Sequence, residues 1–168
     1  AIFSATVVEF KQAAGKFEKV EKRGYLKEVT TTKNKETGLE EKAVSYKKVI
    51  YYTYSVKNAS VVSLKYQLTS VETGAVMVSD VVREGFDDEA SYATFDGDND
   101  KLVPGYWEKM NKDSEKDYVS DTPVEVSNLR NLLKAKREVS SVAQLTDKAI
   151  NETATKVVQK INRYNPEQ

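Results

Sequence analysis

The 168-residue chain contains no histidine and no cysteine. Histidine is the side chain that titrates near neutrality, and cysteine supplies the usual thiolate. Their absence removes the commonest general base, the commonest activator of a nucleophile, and the usual ligands for zinc, copper and iron. Carboxylates, lysines, tyrosines and hydroxyls are left for any chemistry. No disulfide can form, so the redox compartment is not decided. Long apolar runs are also missing. Val76-Met77-Val78 is typical, far short of the roughly 20 residues of a spanning helix. Net charge of one sign is absent as well: 26 basic residues balance 26 acidic ones. No global field draws the chain to nucleic acid, which is rejected as a partner. No signal peptide is visible. The chain opens on Ala1 rather than Met, which reads as a processed product with its natural N-terminus upstream.

Apolar residues make up 39% of the chain and charged residues 31%, enough for one core beneath a heavily charged surface. A chain of this length fits a single domain over 1–168 that buries roughly 70% of its extended surface. Residues 2–10 form an apolar, β-branched run that reads as a strand. Such a strand needs flanking partners, and upstream sequence is expected to contribute to its sheet. Residues 11–43 are rich in lysine, glutamate and threonine. Asn34-Lys35-Glu36-Thr37-Gly38 is a turn signal between 25–32 and 40–46, which are open to a charged hairpin or a mobile loop.

From Tyr46 the pattern is strongly β. Tyr46, Ile50, Tyr52, Tyr54 and Val56 share one parity, and Lys48 is the exception. After a break at 57–60, Val62, Leu64, Tyr66 and Leu68 alternate with Ser63, Lys65, Gln67 and Thr69. Glu72-Thr73-Gly74 predicts a tight turn into a third strand over 75–82. Residues 84–121 read as acidic and irregular. Thr122, Pro123 and Glu125 then predict an N-cap, and Ser141 with Gln144 predicts a capping box. The stripe Val142, Leu145, Ala149, Thr153, Val157 and Ile161 gives a one-sided helix that needs a sheet beneath it, expected to be the Val62–Leu68 parity.

Several constellations invite chemistry, and each has a plainer reading. Asp96, Asp98 and Asp100 stand at alternate positions, as in loops that wrap calcium. The EF-hand template then requires glycine and glutamate where this chain has Lys101 and Trp107, so an EF-hand is excluded. A different calcium loop stands against a solvated turn. Asp87, Asp88 and Glu89 are candidate acid/base carboxylates, but adjacent acids in a polar segment give no separation of pKa values. The ten tyrosines fall mostly on strand parity, which favours packing over ligand stacking. Tyr106 and Trp107 form an aromatic pair that either anchors an interface or plugs the end of the core. No Walker loop, dinucleotide glycine motif or serine-hydrolase elbow occurs.

The run Ser63-Leu64-Lys65-Tyr66-Gln67-Leu68, followed by Val71-Glu72-Thr73-Gly74-Ala75-Val76 and Ser79, resembles the strand–turn–strand of the curli assembly lipoprotein family. The helix over 142–161 is similar to the one that closes that domain, and residues 1–10 are similar to the strand that begins its second half. The resemblance covers about half the chain, in three pieces in order. It implies a periplasm-facing or outer-membrane-associated domain, the C-terminal part of a longer envelope lipoprotein whose acylated cysteine lies upstream. It does not imply a channel, because residues 11–43 are too charged to face lipid.

The expectation is therefore an α+β domain, an antiparallel-rich sheet with C-terminal helices packed on one face. Its expected role is non-enzymatic, in envelope assembly or partner binding. No cofactor and no catalytic residue is expected. The partner is expected to be a protein, a homo-oligomer is left open, and membrane attachment is expected only through an upstream lipid anchor. The favoured surfaces are residues 87–107, with Asp87, Asp88, Tyr106 and Trp107, and the hairpin 25–46. The rivals are a small-ligand or calcium-dependent module using Asp96, Asp98 and Asp100, and a hydrolase using carboxylates and tyrosine.

Overall fold

The computed structural model describes residues 1–33, 38 and 40–164. Among them, six strands and two helices make an α+β fold. The strands are β1 (Ile2–Ala13), β2 (Glu18–Lys33), β3 (Glu40–Thr69), β4 (Val76–Thr94), β5 (Leu102–Tyr106) and β6 (Tyr118–Val119). The helices are α1 (Pro123–Lys134) and α2 (Val142–Arg163). The sheet is open, in the order β1-β3-β2-β5-β6, with β4 also paired to β3. The ladders β1–β3, β2–β3, β2–β5 and β5–β6 are all antiparallel.

Two expectations are corrected. The break at 57–60 does not exist, because β3 runs unbroken from Glu40 to Thr69. Asn58 and Ser60 are polar at these positions because their side chains bond elsewhere: Asn58 donates to the Ser140 carbonyl, and Ser60 shares a hydrogen bond with Thr146. Nor is 84–121 one irregular stretch. Residues 84–94 continue β4, and β5 and β6 follow. From 82 to 90 the even positions are the less exposed ones, ending at buried Ala90, and the acids fall on both parities, Asp87 and Glu89 exposed and Glu84 and Asp88 half buried. Between β2 and β3 the ladder extends to Lys33 opposite Glu40, so the flanking segments are a hairpin. The proposed turn lies outside the described residues except for Gly38, whose φ of 71° is the left-handed conformation glycine adopts without strain. Gly74 closes the turn before β4 in the same way, at φ 69°.

The chain groups into two compact units. One comprises residues 1–16, 56–89 and 138 onward. The other comprises 17–55 and 90–137. In the first, α2 begins at the expected capping box, with Ser141 and Gln144 each bonding the other's backbone N–H. Leu145, Ala149, Thr153 and Val157 are buried along it. Val157 packs with Tyr66 and Val82, flanked by Leu64, Val78 and Ile161. The Val62–Leu68 parity therefore does lie under the stripe, with Leu64 and Leu68 only half buried. Thr153 is 2% exposed and its hydroxyl finds no partner.

In the second unit Thr122 caps α1, accepting from the Glu125 N–H, and Pro123 opens the first turn. Leu129 and Leu133 pack on Tyr51, Ala93 and Leu102, with Val49, Phe95 and Leu132 alongside. The face of β3 beneath α1 thus carries Val49 and Tyr51, the parity opposite to Tyr46, Tyr52 and Tyr54.

Candidate functional site

In the second unit, Trp107 settles between its two readings as a core residue. It is 4% exposed, and its indole N–H donates to the Gly24 and Val49 carbonyls. Arg23 donates to the Trp107 carbonyl and lies over the Tyr106 and Trp107 rings. Tyr106 is partly exposed and stacks on Tyr118. The pair therefore does not present two anchors outward.

Lys48, the residue that broke the strand parity, is the hub that holds the following loop. Its ammonium lies 2.6 Å from Asp117 and 2.9 Å from Asp113, and it donates to the Lys109 and Lys112 carbonyls. Its side chain is 9% exposed. Burial pushes its pKa down, and Asp117 and Asp113 outweigh that, so its pKa is raised above the ordinary lysine value. Asp117 is held low, first by Lys48 and then by the N–H groups of Glu108 and Ser114. Nearby, Asp121 is held low by Lys27 and by the Tyr46 hydroxyl, and Tyr46 is raised by the same carboxylate. Tyr25 is raised by burial and donates to the Tyr106 carbonyl. Each of these groups is held by a partner in the same unit. No pair in this cluster has the free nucleophile and free base that covalent catalysis needs. The tyrosines of the sheet surface are likewise spent on one another. Phe17 leans on Tyr54, which stacks on Tyr92 at 4.8 Å, with Lys19 and Arg137 over the rings.

The remaining candidates are placed as follows. Asp87 pairs with Lys57 at 2.8 Å, and Asp88 accepts from the Ser140 N–H and hydroxyl just ahead of α2. Both are structural ties in the first unit. Asp98 folds back on the Asp100 N–H and faces Lys101, while the Asp100 carbonyl accepts from Arg130. Among the described residues no three acids converge as cation ligands, so Asp96, Asp98 and Asp100 form a turn rather than a cage.

The site that sequence reasoning missed lies in the first unit, on β1. Residues paired across an antiparallel ladder share a face. Phe3, Ala5 and Val7 stand opposite Leu68, Tyr66 and Leu64, on the face that bears α2. A bulge between Val7 and Glu9 then shifts the register by one. Beyond it, Phe10 opposite Val62 and Gln12 opposite Ser60 return to that face, and Gln12 donates to Thr146 of α2. The bulge thus gathers Phe3, Ala5, Val7 and Phe10 into one apolar row. Simple alternation would have divided them between two faces. Glu9 and Lys11 go to the other face, where Glu9 binds Arg83, Lys11 and the Ser63 hydroxyl.

The row is not covered. Phe3 is 50% exposed, Val7 57% and Phe10 54%. On its β4 side α2 is tied by Lys156 to Glu84 and by Lys160 to Asp80. The flank of α2 that follows Thr146 at helical spacing carries Ile150, Ala154 and Val158, and Ile150 and Val158 are exposed. The apolar row lies on β1, which among the described residues pairs with β3 alone and so has a free edge. No protein-family model, curated protein or solved structure matches the chain.

Proposed function

We propose that the chain is a non-enzymatic, partner-binding domain of the cell envelope, of the assembly type that the curli lipoprotein resemblance implies. The observation that carries the binding half of this reading is an uncovered apolar row on β1 beside a free strand edge. Monomeric surfaces seldom keep contiguous apolar patches without a use. A strand edge adds main-chain hydrogen bonds to side-chain pockets, the two components of recognition by strand addition. The envelope half rests on the resemblance of residues 63–79 and 142–161. No helix among the described residues is long and apolar enough to cross a membrane. No arrangement among the described residues favours the calcium or hydrolase rivals.

A photo-crosslinking residue in place of Val7 tests the reading in the cell of origin. A protein adduct is expected from Val7 and none from the same residue in place of Thr73, in the exposed turn. Absence of any protein adduct at Val7 would overturn it.

A further inference from the structure

We infer that Asp96 is a site of covalent self-modification: its carboxyl closes on the Gly97 amide and reopens as an isoaspartyl linkage. The inference goes beyond the partner-binding reading and concerns the second unit alone. Sequence, place, freedom and packing carry it.

Gly97 is the only glycine of the chain that follows an aspartate or an asparagine. Without a β-carbon it leaves its own amide nitrogen unshielded and adds no steric bar to rotation of the backbone. Asp96 and Gly97 are both exposed, in the turn between β4 and β5. In a helix or a ladder the dihedrals would be fixed and the amide bonded.

Among the described residues the Asp96 carboxylate has no hydrogen bond or ion pair, and the Gly97 N–H donates to nothing. No other aspartate combines the two. Asp98 accepts from the Asp100 N–H and faces Lys101. The amide after Asp100 is taken, because the Lys101 N–H donates to the Asp98 carbonyl. Asp147 lies within α2. Asp80, Asp87, Asp88, Asp113, Asp117 and Asp121 are each held by a lysine or by Ser140.

Packing keeps the labile pair in place. A β-carbon on Gly97 would lie 2.6 Å from the Phe95 ring, and Phe95 packs on the core around Leu102 and Leu129. Any side chain at 97 has to displace that ring.

The Gly97 nitrogen attacks Cγ of the neutral Asp96 carboxyl. The N–H proton and the carboxyl OH leave as one water, and a five-membered succinimide remains. A second water then adds to a ring carbonyl and breaks its bond to nitrogen. Breaking the bond from Cγ restores aspartate. Breaking the bond from the main-chain carbonyl carbon leaves the chain running through Cβ and Cγ, with a free α-carboxylate. No oxidant or cofactor enters. The backbone between 96 and 97 is then one carbon longer, which shifts Gly97 against the Phe95 ring.

Ageing the intact chain for several weeks in neutral buffer at physiological temperature, followed by peptide mapping, tests this. The peptide spanning 96 and 97 should split into two isomers of equal mass. The new isomer should resist, at residue 96, a protease that cuts before aspartate. The isoaspartyl fraction at 96 should exceed that at every other aspartate by about tenfold or more. Asp96→Glu should abolish it, because a six-membered ring closes far more slowly, and circular dichroism should not change. Asp96→Asn should speed closure and release ammonia in place of water. Asp98→Glu, in the same turn, should leave the yield at 96 as it was. A residue 96 that stays α-linked through ageing, or equal yields at Asp96, Asp98 and Asp100, sinks the inference.

Discussion

Glu9 on β1 is tied at once to Ser63 of β3 and Arg83 of β4. Its carboxylate accepts from the Arg83 guanidinium at 2.9 Å and meets the Lys11 ammonium at 2.7 Å. Arg83, then Lys11 and the Ser63 hydroxyl, hold its pKa at about 2, against an ordinary value of 4.5. A carboxyl depressed in the folded state stabilises that state above its unfolded pKa and loses the contribution as pH falls through the folded one. The contribution of Glu9 should thus be whole above about pH 4.5 and vanish toward pH 2. Glu9→Gln should flatten the pH dependence of urea midpoints in that window and leave the slope above pH 5 unaltered. An unchanged acid limb would show that Glu9 is not held this way. In the sequence Glu9 is only an acid in an apolar run. Its partner Arg83 is 74 positions away, and nothing local announces it.

At the scale of elements, the helices were the most legible part. Caps act over three or four residues, so Thr122 with Glu125 and Ser141 with Gln144 declare helix starts without tertiary context. The strands were less legible. A break was expected at Lys57-Asn58-Ala59-Ser60 because those residues favour turns in isolation, yet β3 continues through them. A long-range contact meets β3 there: Gly15 comes so close that a β-carbon on it would lie 2.0 Å from the Lys57 carbonyl oxygen. The Gly15 N–H also donates to Asn58. Gly15→Ala should therefore force the end of β1 away from β3, costing roughly 1–3 kcal/mol. Chemical denaturation measures this, and a loss below about half a kcal/mol would mean the contact yields freely.

At the scale of the whole molecule, balanced charge and an uncovered apolar row act together. With 26 charges of each sign and a pI near 6.7, electrostatic repulsion between copies is weakest close to neutrality. The uncovered row of β1 then adds an exposed apolar patch. Light scattering at about 100 µM should peak near pH 6.7 and fall by pH 9, and Phe10→Asp should lower the peak. Scattering that is flat with pH would show that neither feature governs association.

What the sequence determined by itself was local: the α+β class, both helix starts, the glycine turn at Gly74, and the exclusion of histidine and cysteine chemistry. Each depends on spacings of a few residues or on composition, and no distant partner can cancel them. What only the tertiary structure decided was which residues are free. Trp107 was drawn inside by the Gly24 and Val49 carbonyls, and Lys48 was buried by four acceptors brought from 61 to 69 positions away. The bulge after Val7 turned an alternating strand into a one-sided apolar row. A bulge is set by the register against a partner strand, so it cannot be read before the chain has folded.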